Sequence, residues 1–351
     1  MKNKAVVVAM SGGVDSSVSA YLLLKNGYKV VGITFINFDK QKPDDYQFID
    51  DAKYVAQKLG IEHYVVDIRK DFKNKIIDYF VQEYRRGRTP NPCVICNRII
   101  KWKLFIQIAD ELGIEKVSTG HYSNLKYENG RYFISRGKDE LKDQSYFLWN
   151  LPQEYLSRSL FPLSNMTKSE IKEIAKEIGI KTIAEKKESY DVCFIRSGDY
   201  RQFLTDYFDK YNIKLQEGNF VDENGNILGK HKGLPFYTVG QRKGLGIAAG
   251  YPLFVKSLNV EDNSITVVPR EKLAVKQIEV QKVNFQKYES IDPNKIFTVR
   301  IRYKDKGAQA KVSVKDDKLI IDFLEPVYGV APGQSAVVYE QDDLVCGGII
   351  S

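Results

Sequence analysis

The sequence predicts an α/β domain on a mostly parallel sheet, followed by a β-rich region that ends in a small barrel. Three observations predict it. In the first half, short β-branched runs alternate with amphipathic stretches, the pattern of βαβ units. Three of those stretches end at Gly27, Gly60 and Gly113, and glycine is a common helix terminator. Beyond about residue 200 the texture changes to short alternating strands with polar turns, such as Glu223-Asn224-Gly225-Asn226 and Glu261-Asp262-Asn263-Ser264.

Taken in order, strands are expected at Ala5 to Met10, Lys29 to Phe35, His63 to Asp67 and Lys116 to Thr119. Helices are expected between them at Asp15 to Asn26, Tyr46 to Leu59, Phe72 to Tyr84 and Arg98 to Leu112. Asn129-Gly130, flanked by Lys126-Tyr127 and Arg131 to Ser135, predicts a hairpin. Glu154 to Leu160 and Lys168 to Ile178 read as helical again. The later strands are Ile278 to Phe285, Ile296 to Tyr303, Ala308 to Val314, Leu319 to Phe323, Ser335 to Tyr339 and Leu344 to Ile350, close enough in spacing for a barrel. A second boundary falls near 275, and with no repeat or low-complexity linker the domains are expected to pack directly.

Composition narrows the function classes. At 43% hydrophobic and 28% charged residues the chain is an ordinary globular protein rather than a disordered one. Its 351 residues exceed one small domain. No apolar run approaches the roughly 20 residues that span a bilayer, and the start lacks a signal-peptide cleavage pattern, so a cytoplasmic protein without a membrane partner is expected. Four cysteines cannot staple a chain of this length, and cytosolic thiols stay reduced, so each is judged on chemistry or packing. A net charge of +8 favours an anionic partner. Between Arg85 and Lys103 the basic residues Arg85, Arg86, Arg88, Arg98, Lys101 and Lys103 occur without an acid, around Cys93 and Cys96. A bare charge run is usually a solvated face, but two cysteines within it point to a site.

Ala9-Met10-Ser11-Gly12-Gly13-Val14-Asp15-Ser16-Ser17 follows the first strand and opens the first helix. Two glycines let backbone approach an anion, while N–H groups at the helix start and serine hydroxyls donate to phosphate oxygens. A carboxylate beside phosphate needs a bridging cation, which assigns Asp15 a place near Mg²⁺. No G-x-x-x-x-G-K-[ST] or G-x-G-x-x-G pattern follows this strand. The bland alternative is a tight turn with a Ser or Asp cap. This block resembles the SGGxDS PP-loop of the N-type ATP pyrophosphatases, which split ATP between its α and β phosphates and activate a carbonyl oxygen as the adenylate. The resemblance implies ligand binding at the carboxyl ends of the strands, with Phe35 beside adenine and Gly120 of Ser118-Thr119-Gly120-His121-Tyr122 touching the nucleotide.

In Thr89 to Asn97 two prolines stiffen the chain and present Cys93 and Cys96 on a loop before a helix. Nearby arginines and a helix N-terminus are expected to lower their thiol pKa, making a nucleophile or a ligand. A zinc knuckle or plain packing is the alternative, since a lone C-x-x-C is a weak signal. Cys193 in Asp191 to Ile195, and Cys346, read by themselves as core.

With both cysteine segments in view, nearly the whole chain resembles the tRNA-specific 2-thiouridylases of the MnmA type. The matching blocks are MSGGVDSSVSAYLL, GRTPNPCVICNRIIKW, TGHY, GKDELKDQSYFLW, ESYDVCFIRSGDYRQFL, GLPFYTVGQRKGLGI, RYKDKGAQAKV and EPVYGVAPGQSAVVY, in this order. The resemblance implies a PP-loop domain over 1–205, a small central mixed/β domain over 206–275 and a C-terminal β-barrel over 276–351. It implies ATP and Mg²⁺ as cofactors and the anticodon stem-loop of Lys, Glu and Gln tRNAs as substrate. A sulfur relay protein or cysteine desulfurase is the implied donor. Cys193 is implied as the persulfide carrier and Cys96 as the nucleophile that completes the exchange. Asn91, Pro92 and Cys93 are implied to line the target base, and His121, Lys142, Asp143, Gln144, Arg302, Tyr303 and Gln334 to contact tRNA. For Lys142 and Arg302 a surface salt bridge is the alternative. For the Gly240 to Gly246 loop, a hairpin turn weighs about as much as RNA contact.

The chain departs from the pattern at Cys93, where many relatives carry Asp. Tyr190-Asp191 replaces a common Thr-Gly, and Phe35 a frequent Met. Cys93, Cys96 and Cys193 also match in number a 4Fe-4S cluster with one open iron, as related PP-loop tRNA thiolases hold, so a cluster-dependent thiolase is the alternative. Another carbonyl-adenylating enzyme of the same loop class shares the Ser11 to Ser17 signal but does not require Cys96 and Cys193.

Overall fold

The computed structural model describes residues 4–39, 45–186, 192–195 and 198–351. Tyr190 and Asp191 lie outside them. The first unit is a parallel sheet of β1 (Ala5–Ala9), β2 (Lys29–Ile36), β3 (Glu62–Asp67), β4 (Lys116–Ser118) and a short strand at Ser159–Leu160, in the order β3-β2-β1-β4 and then Ser159–Leu160. β1 is apolar throughout because both its faces are covered. Val7 packs with Val31, Trp102 and Phe105 on one side, while Val6 and Val8 pack with Val14, Val18 and Ala52 on the other. The order of strand addition reverses between β1 and β4, since β2 and β3 lie on one side of β1 and β4 on the other, so the crevice beyond their carboxyl ends is the expected ligand position of such a fold.

Helix α1 (Val14–Lys25) follows β1, and α2 (Gln47–Leu59) follows β2. Gly27, Gly60 and Gly113 all take left-handed φ, as helix termination there requires. Two further helical runs, 69–85 and 92–111, each contain a π turn, at Lys73–Ile77 and Asn97–Trp102. The second run starts earlier than the sequence predicts, so Cys93 and Cys96 lie within a helix instead of on a loop before one. Asn91 is its cap, accepting from the Val94 N–H at 3.4 Å, and Pro92 occupies the first helical position. The predicted helix Glu154 to Leu160 is also shorter, Gln153–Ser157, because Ser159 and Leu160 pair with β4.

Strands β5 (Ser123–Glu128) and β6 (Arg131–Arg136) form the predicted hairpin, with Asn129 and Gly130 both at positive φ. The middle unit is a four-stranded sheet of Gly218–Val221, Ile227–His231, Phe254–Asn259 and Ser264–Val268. In the last unit Val275–Phe285, Ile296–Arg300, Ala308–Lys315, Lys318–Val327, Ser335–Glu340 and Asp343–Ile350 form an antiparallel barrel, closed by pairing of its first and last strands. The predicted strand Ile296 to Tyr303 stops at Arg300, whose guanidinium holds the following turn through the Asp305 carbonyl at 2.8 Å and that of Tyr303.

The barrel is fastened to the first unit. β6 pairs with the last barrel strand at Ser135 and Asp343. Gln286, fully buried, accepts from the Ile134 N–H at 3.0 Å and donates to the Leu148 and Trp149 carbonyls at 2.9 and 3.0 Å. Cys346 is buried in the barrel core, as its sequence context predicts. Among the described residues no helix is long and apolar enough to cross a membrane.

Candidate active site

Ser11, Gly12 and Gly13 form the turn between β1 and α1. Gly13 caps α1 without a side-chain hydrogen bond, which leaves the first N–H groups of a twelve-residue helix as donors for an anion. Gly12 has φ +72°, and a Cβ there would lie 2.3 Å from the Phe48 carbonyl oxygen. Gly120, just past β4, is equally confined: its Cβ would lie 2.9 Å from the Asp15 carbonyl carbon and the Ser16 nitrogen. Both glycines allow backbone contacts that any side chain would block.

The serines behave differently from expectation. Ser16 and Ser17 are buried, and their hydroxyls donate to the Gly13 carbonyl at 3.0 and 2.9 Å, while Ser11 N–H donates to Ser16 Oγ at 3.1 Å. They shape the loop from within; Ser11 remains exposed at its mouth. Ala9 ends β1, and Met10 is buried, its carbonyl accepting from Thr34 Oγ1 at 2.7 Å. Val14 is core.

Asp15 was expected beside Mg²⁺ because a carboxylate near phosphate needs a cation. The structure supplies that cation from the protein. Lys168 Nζ donates to both Asp15 oxygens at 2.7 and 2.8 Å, and Tyr122 Oη donates to Oδ1 at 2.6 Å. Both Asp15 oxygens are thus engaged by protein donors. Phe35 stacks on Phe105 at 4.9 Å between two core clusters, so its evident part is packing.

The sulfur groups gather at the same end of the sheet. Phe194 and Ile195 are buried against the helical run 69–85, with Phe194 meeting Phe80 at 5.3 Å edge-on. They anchor Cys193, which is exposed, contrary to its reading as core. Asn37, one residue past β2, donates from Nδ2 to Cys193 Sγ at 3.6 Å. Cys93 is half-buried and Cys96 buried.

Their thiols are shifted opposite to expectation. Although Cys193 is exposed as a residue, the groups crowded around its thiol desolvate it and push it up to about 12, with Cys93 and Cys96 adding to the rise, and burial raises Cys96 to about 11 and Cys93 in the same direction. The Lys101 ammonium counters each of these shifts without reversing it. Among the described residues no arginine is one of the groups that act on these thiols; Arg88 is paired with Glu83 at 3.0 Å. Among the described residues no group of three His, Cys, Asp or Glu side chains is placed to hold a single metal ion.

His121 packs on Trp102 with ring centroids 5.6 Å apart and shares a 2.7 Å hydrogen bond with Thr119 Oγ1. Burial, then Lys101, lowers its pKa to about 3, so it is a neutral ring at physiological pH. Several residues expected to reach RNA hold the protein together. Asp143 is buried, accepting from Ser145 N–H and Oγ at 3.1 and 2.9 Å and pairing with Arg300 at 3.4 Å. Gln144 exchanges hydrogen bonds with the Tyr122 backbone at 3.1 and 2.9 Å. Gln334 donates to the Thr89 and Pro90 carbonyls at 3.0 and 3.3 Å, directly before Asn91, Pro92 and Cys93.

Tyr303 is half-buried against Phe147 at 4.5 Å, and Lys142 is half-buried. Arg302 is exposed. Gly329 lies between Arg302 and Gly240, so Arg302 and the exposed Arg242 and Lys243 occupy neighbouring surface, although Gln241 fastens the 240–244 segment as a turn through Thr238 and Lys243. Lys101 belongs to the basic window that the sequence singles out, whereas the site roles of Asn37, Tyr122 and Lys168 were missed; of these only Lys168 carries a local signal, because it starts a helix behind the Thr167–Glu170 capping box.

A helix start without a side-chain cap, at the switch point of a parallel sheet and directly after the Ser11-Gly12-Gly13 turn, is the arrangement expected of an ATP-using enzyme of the PP-loop class. Family models cover almost the whole chain: a tRNA methyl transferase HUP domain at residues 4–197, a tRNA methyl transferase PRC-barrel domain at 202–269 and an aminomethyltransferase beta-barrel domain at 275–350. The tRNA-specific 2-thiouridylase MnmA of Amoebophilus asiaticus is 45% identical, covering 100% of this chain and 96% of its own length. That of Salinibacter ruber is 44% identical over 99% and 94%. A solved U34-tRNA thiolase, NcsA from Methanococcus maripaludis with its 4Fe-4S cluster, is 21% identical with a TM-score of 0.36 over 60% of this chain and 66% of that one, a likeness that carries no argument. The chain belongs to the tRNA-specific 2-thiouridylase family MnmA.

Proposed function

We propose that this chain makes 2-thiouridine at the wobble position of Lys, Glu and Gln tRNAs, in the cytoplasm, using ATP and a protein-borne persulfide. The observation that carries the reading is the Asn37–Cys193 contact of 3.6 Å. It sets a sulfur at the carboxyl edge of the sheet on which Ser11, Gly12 and Gly13 form the phosphate turn.

A uridine C2 carbonyl is a poor electrophile because oxide would have to leave. ATP, entering as its Mg²⁺ complex, solves this: the C2 oxygen attacks the α phosphorus and pyrophosphate departs. N–H groups at the start of α1 stabilise the charge that moves onto the phosphates. Cys193, loaded by a cysteine desulfurase or relay protein, presents its terminal sulfur to C2. A C–S bond forms, and AMP leaves with the former carbonyl oxygen. Cys96 then attacks Cys193 Sγ, releasing the thiolated base and leaving a Cys96–Cys193 disulfide, which an external dithiol reduces. Cys96 attacking the persulfide to release hydrosulfide is the other order of the same events.

The base must leave the anticodon stack to reach this edge. Asn91, Pro92 and Cys93, stiffened by the cap and the proline, form the rigid wall on which it would rest. Arg302, Arg242 and Lys243 supply exposed positive surface for RNA phosphates, and the Lys142 ammonium lies close enough to Tyr303, the residue after Arg302, to act on its hydroxyl. Nucleoside mass spectrometry of unmodified tRNA incubated with the protein, MgATP and a persulfide donor tests the reading. ATP-dependent 2-thiouridine that disappears with Cys193→Ser supports it. AMP formation without any thionucleoside sinks it.

A further inference from the structure

The segment 137–144 carries Lys142, Asp143 and Gln144, and it is bolted to the start of the helix Lys168–Glu177. Asp139 accepts from the N–H groups of Leu141 and Lys142, both at 3.2 Å, and through its other oxygen from the Lys168 N–H at 2.9 Å. Lys138 pairs with Glu170 at 2.9 Å, the same carboxylate that closes the capping box on Thr167 at 2.6 Å. From that first turn the Lys168 side chain, 11% exposed, reaches across to both oxygens of Asp15.

A second route ends on the same carboxylate. Gln144, at the far end of the segment, holds both the N–H and the carbonyl of Tyr122, and Tyr122 donates to Asp15 Oδ1. There is little slack in either route. Gly137 lies so close to the Tyr122 carbonyl that a Cβ would sit 3.1 Å away, Gly120 presses on the Asp15 backbone, and Ile171 and Ala175 fix the helix in the same core as Val14 and Val18. Asp15 belongs to the first turn of α1, whose N–H groups make the phosphate cradle.

Building on the function proposed above, we infer that Lys168 is a positioning residue that couples the RNA-contacting segment 137–144 to the ATP loop through Asp139 and Asp15. RNA seated against Lys142 fixes the segment, the first turn of the helix and Lys168 together. Asp15 and the cradle are then held in one arrangement. Each ligand therefore tightens the binding of the other by the same factor. A bidentate, largely buried ion pair suits this task, because a shift at either end breaks charge-assisted bonds instead of sliding past them.

The test is calorimetric binding of α,β-methylene-ATP with Mg²⁺, with and without an unmodified anticodon stem-loop. The wild-type chain is expected to bind the analogue about fivefold or more tightly with RNA present. Asp139→Ala, which leaves the Lys168–Asp15 pair in place, and Lys168→Ala are each expected to bring that ratio to about one, and Lys168→Arg to restore part of it. The double variant is expected to show no further loss. A wild-type ratio of one overturns the inference, as does an unchanged ratio in Asp139→Ala. So does complete loss of analogue binding by folded Lys168→Ala without RNA, which would make Lys168 a direct nucleotide ligand. Thiouridine formation by the same preparations is scored separately: product with a ratio of one removes only the coupling, and an intact ratio without product removes only the proposed activity.

Discussion

His121 shows how position overrides residue type. Its ring is held neutral by burial against Trp102 and by the nearby Lys101, with a pKa near 3 against an ordinary 6.5. Unfolded, it takes up a proton below about 6.5, so its contribution to stability is complete above that pH and is lost as pH falls towards 3. Replacing it with Gln is expected to flatten the acid limb of the stability curve, by an amount on the order of a few kcal/mol at its extreme. Identical acid limbs in chemical denaturation would contradict this. Cys193 gives a second prediction: a thiol raised to about 12 reacts through a minute thiolate fraction at pH 7. Iodoacetamide labelling of this residue should therefore rise about tenfold per pH unit from 7 to 10, and a plateau near pH 8 would refute it. The basic window around Cys93 and Cys96 pointed towards lowered values, because sequence does not reveal how far the thiols are desolvated or that Glu83 takes up Arg88.

At the scale of elements, Gly12 and Gln334 mark the two structures that shape the site. Gly12→Ala meets both a positive φ and the Phe48 carbonyl, and is expected to destabilise the chain by about 1–3 kcal/mol and weaken ATP binding at least about tenfold. Calorimetry showing wild-type affinity would count against the cradle. Gln334→Ala releases two carbonyls that precede the cysteine helix, and about 1–2 kcal/mol of stability should go with them. Its thiolation rate should fall while ATP affinity stays unchanged; an equal loss of both would mean that Gln334 serves the whole domain. Most strands and helices were legible because periodicity and glycine punctuation are local. Helix 92–96 was overlooked since its prolines read as loop, although an Asn-Pro pair is also a cap followed by a first helical residue. The duties of Asp143, Gln144 and Gln334 were not legible, since their partners lie on other segments and RNA contact leaves the same polar signature.

Across the whole molecule, the barrel acts as a brace for the catalytic end. Its closed sheet is joined to β6, buttressed through Gln286, and tied through Pro332, whose carbonyl accepts from the Thr89 N–H at 2.7 Å, to the segment bearing Cys93 and Cys96. The proposed function has this braced body present phosphate turn, sulfur and basic surface to RNA together. The architecture was readable from texture and spacing, whereas the contacts that unite its parts were not, because they connect residues far apart in sequence. The claim at the centre of this account is that the C2 oxygen leaves as part of AMP. Its most direct measurement uses tRNA carrying oxygen-18 at C2 of the target uridine, with MgATP and a persulfide donor, and mass spectrometry of the nucleotides formed. One labelled AMP for each 2-thiouridine is the predicted result, and 2-thiouridine formed with unlabelled AMP, or without ATP, would contradict it.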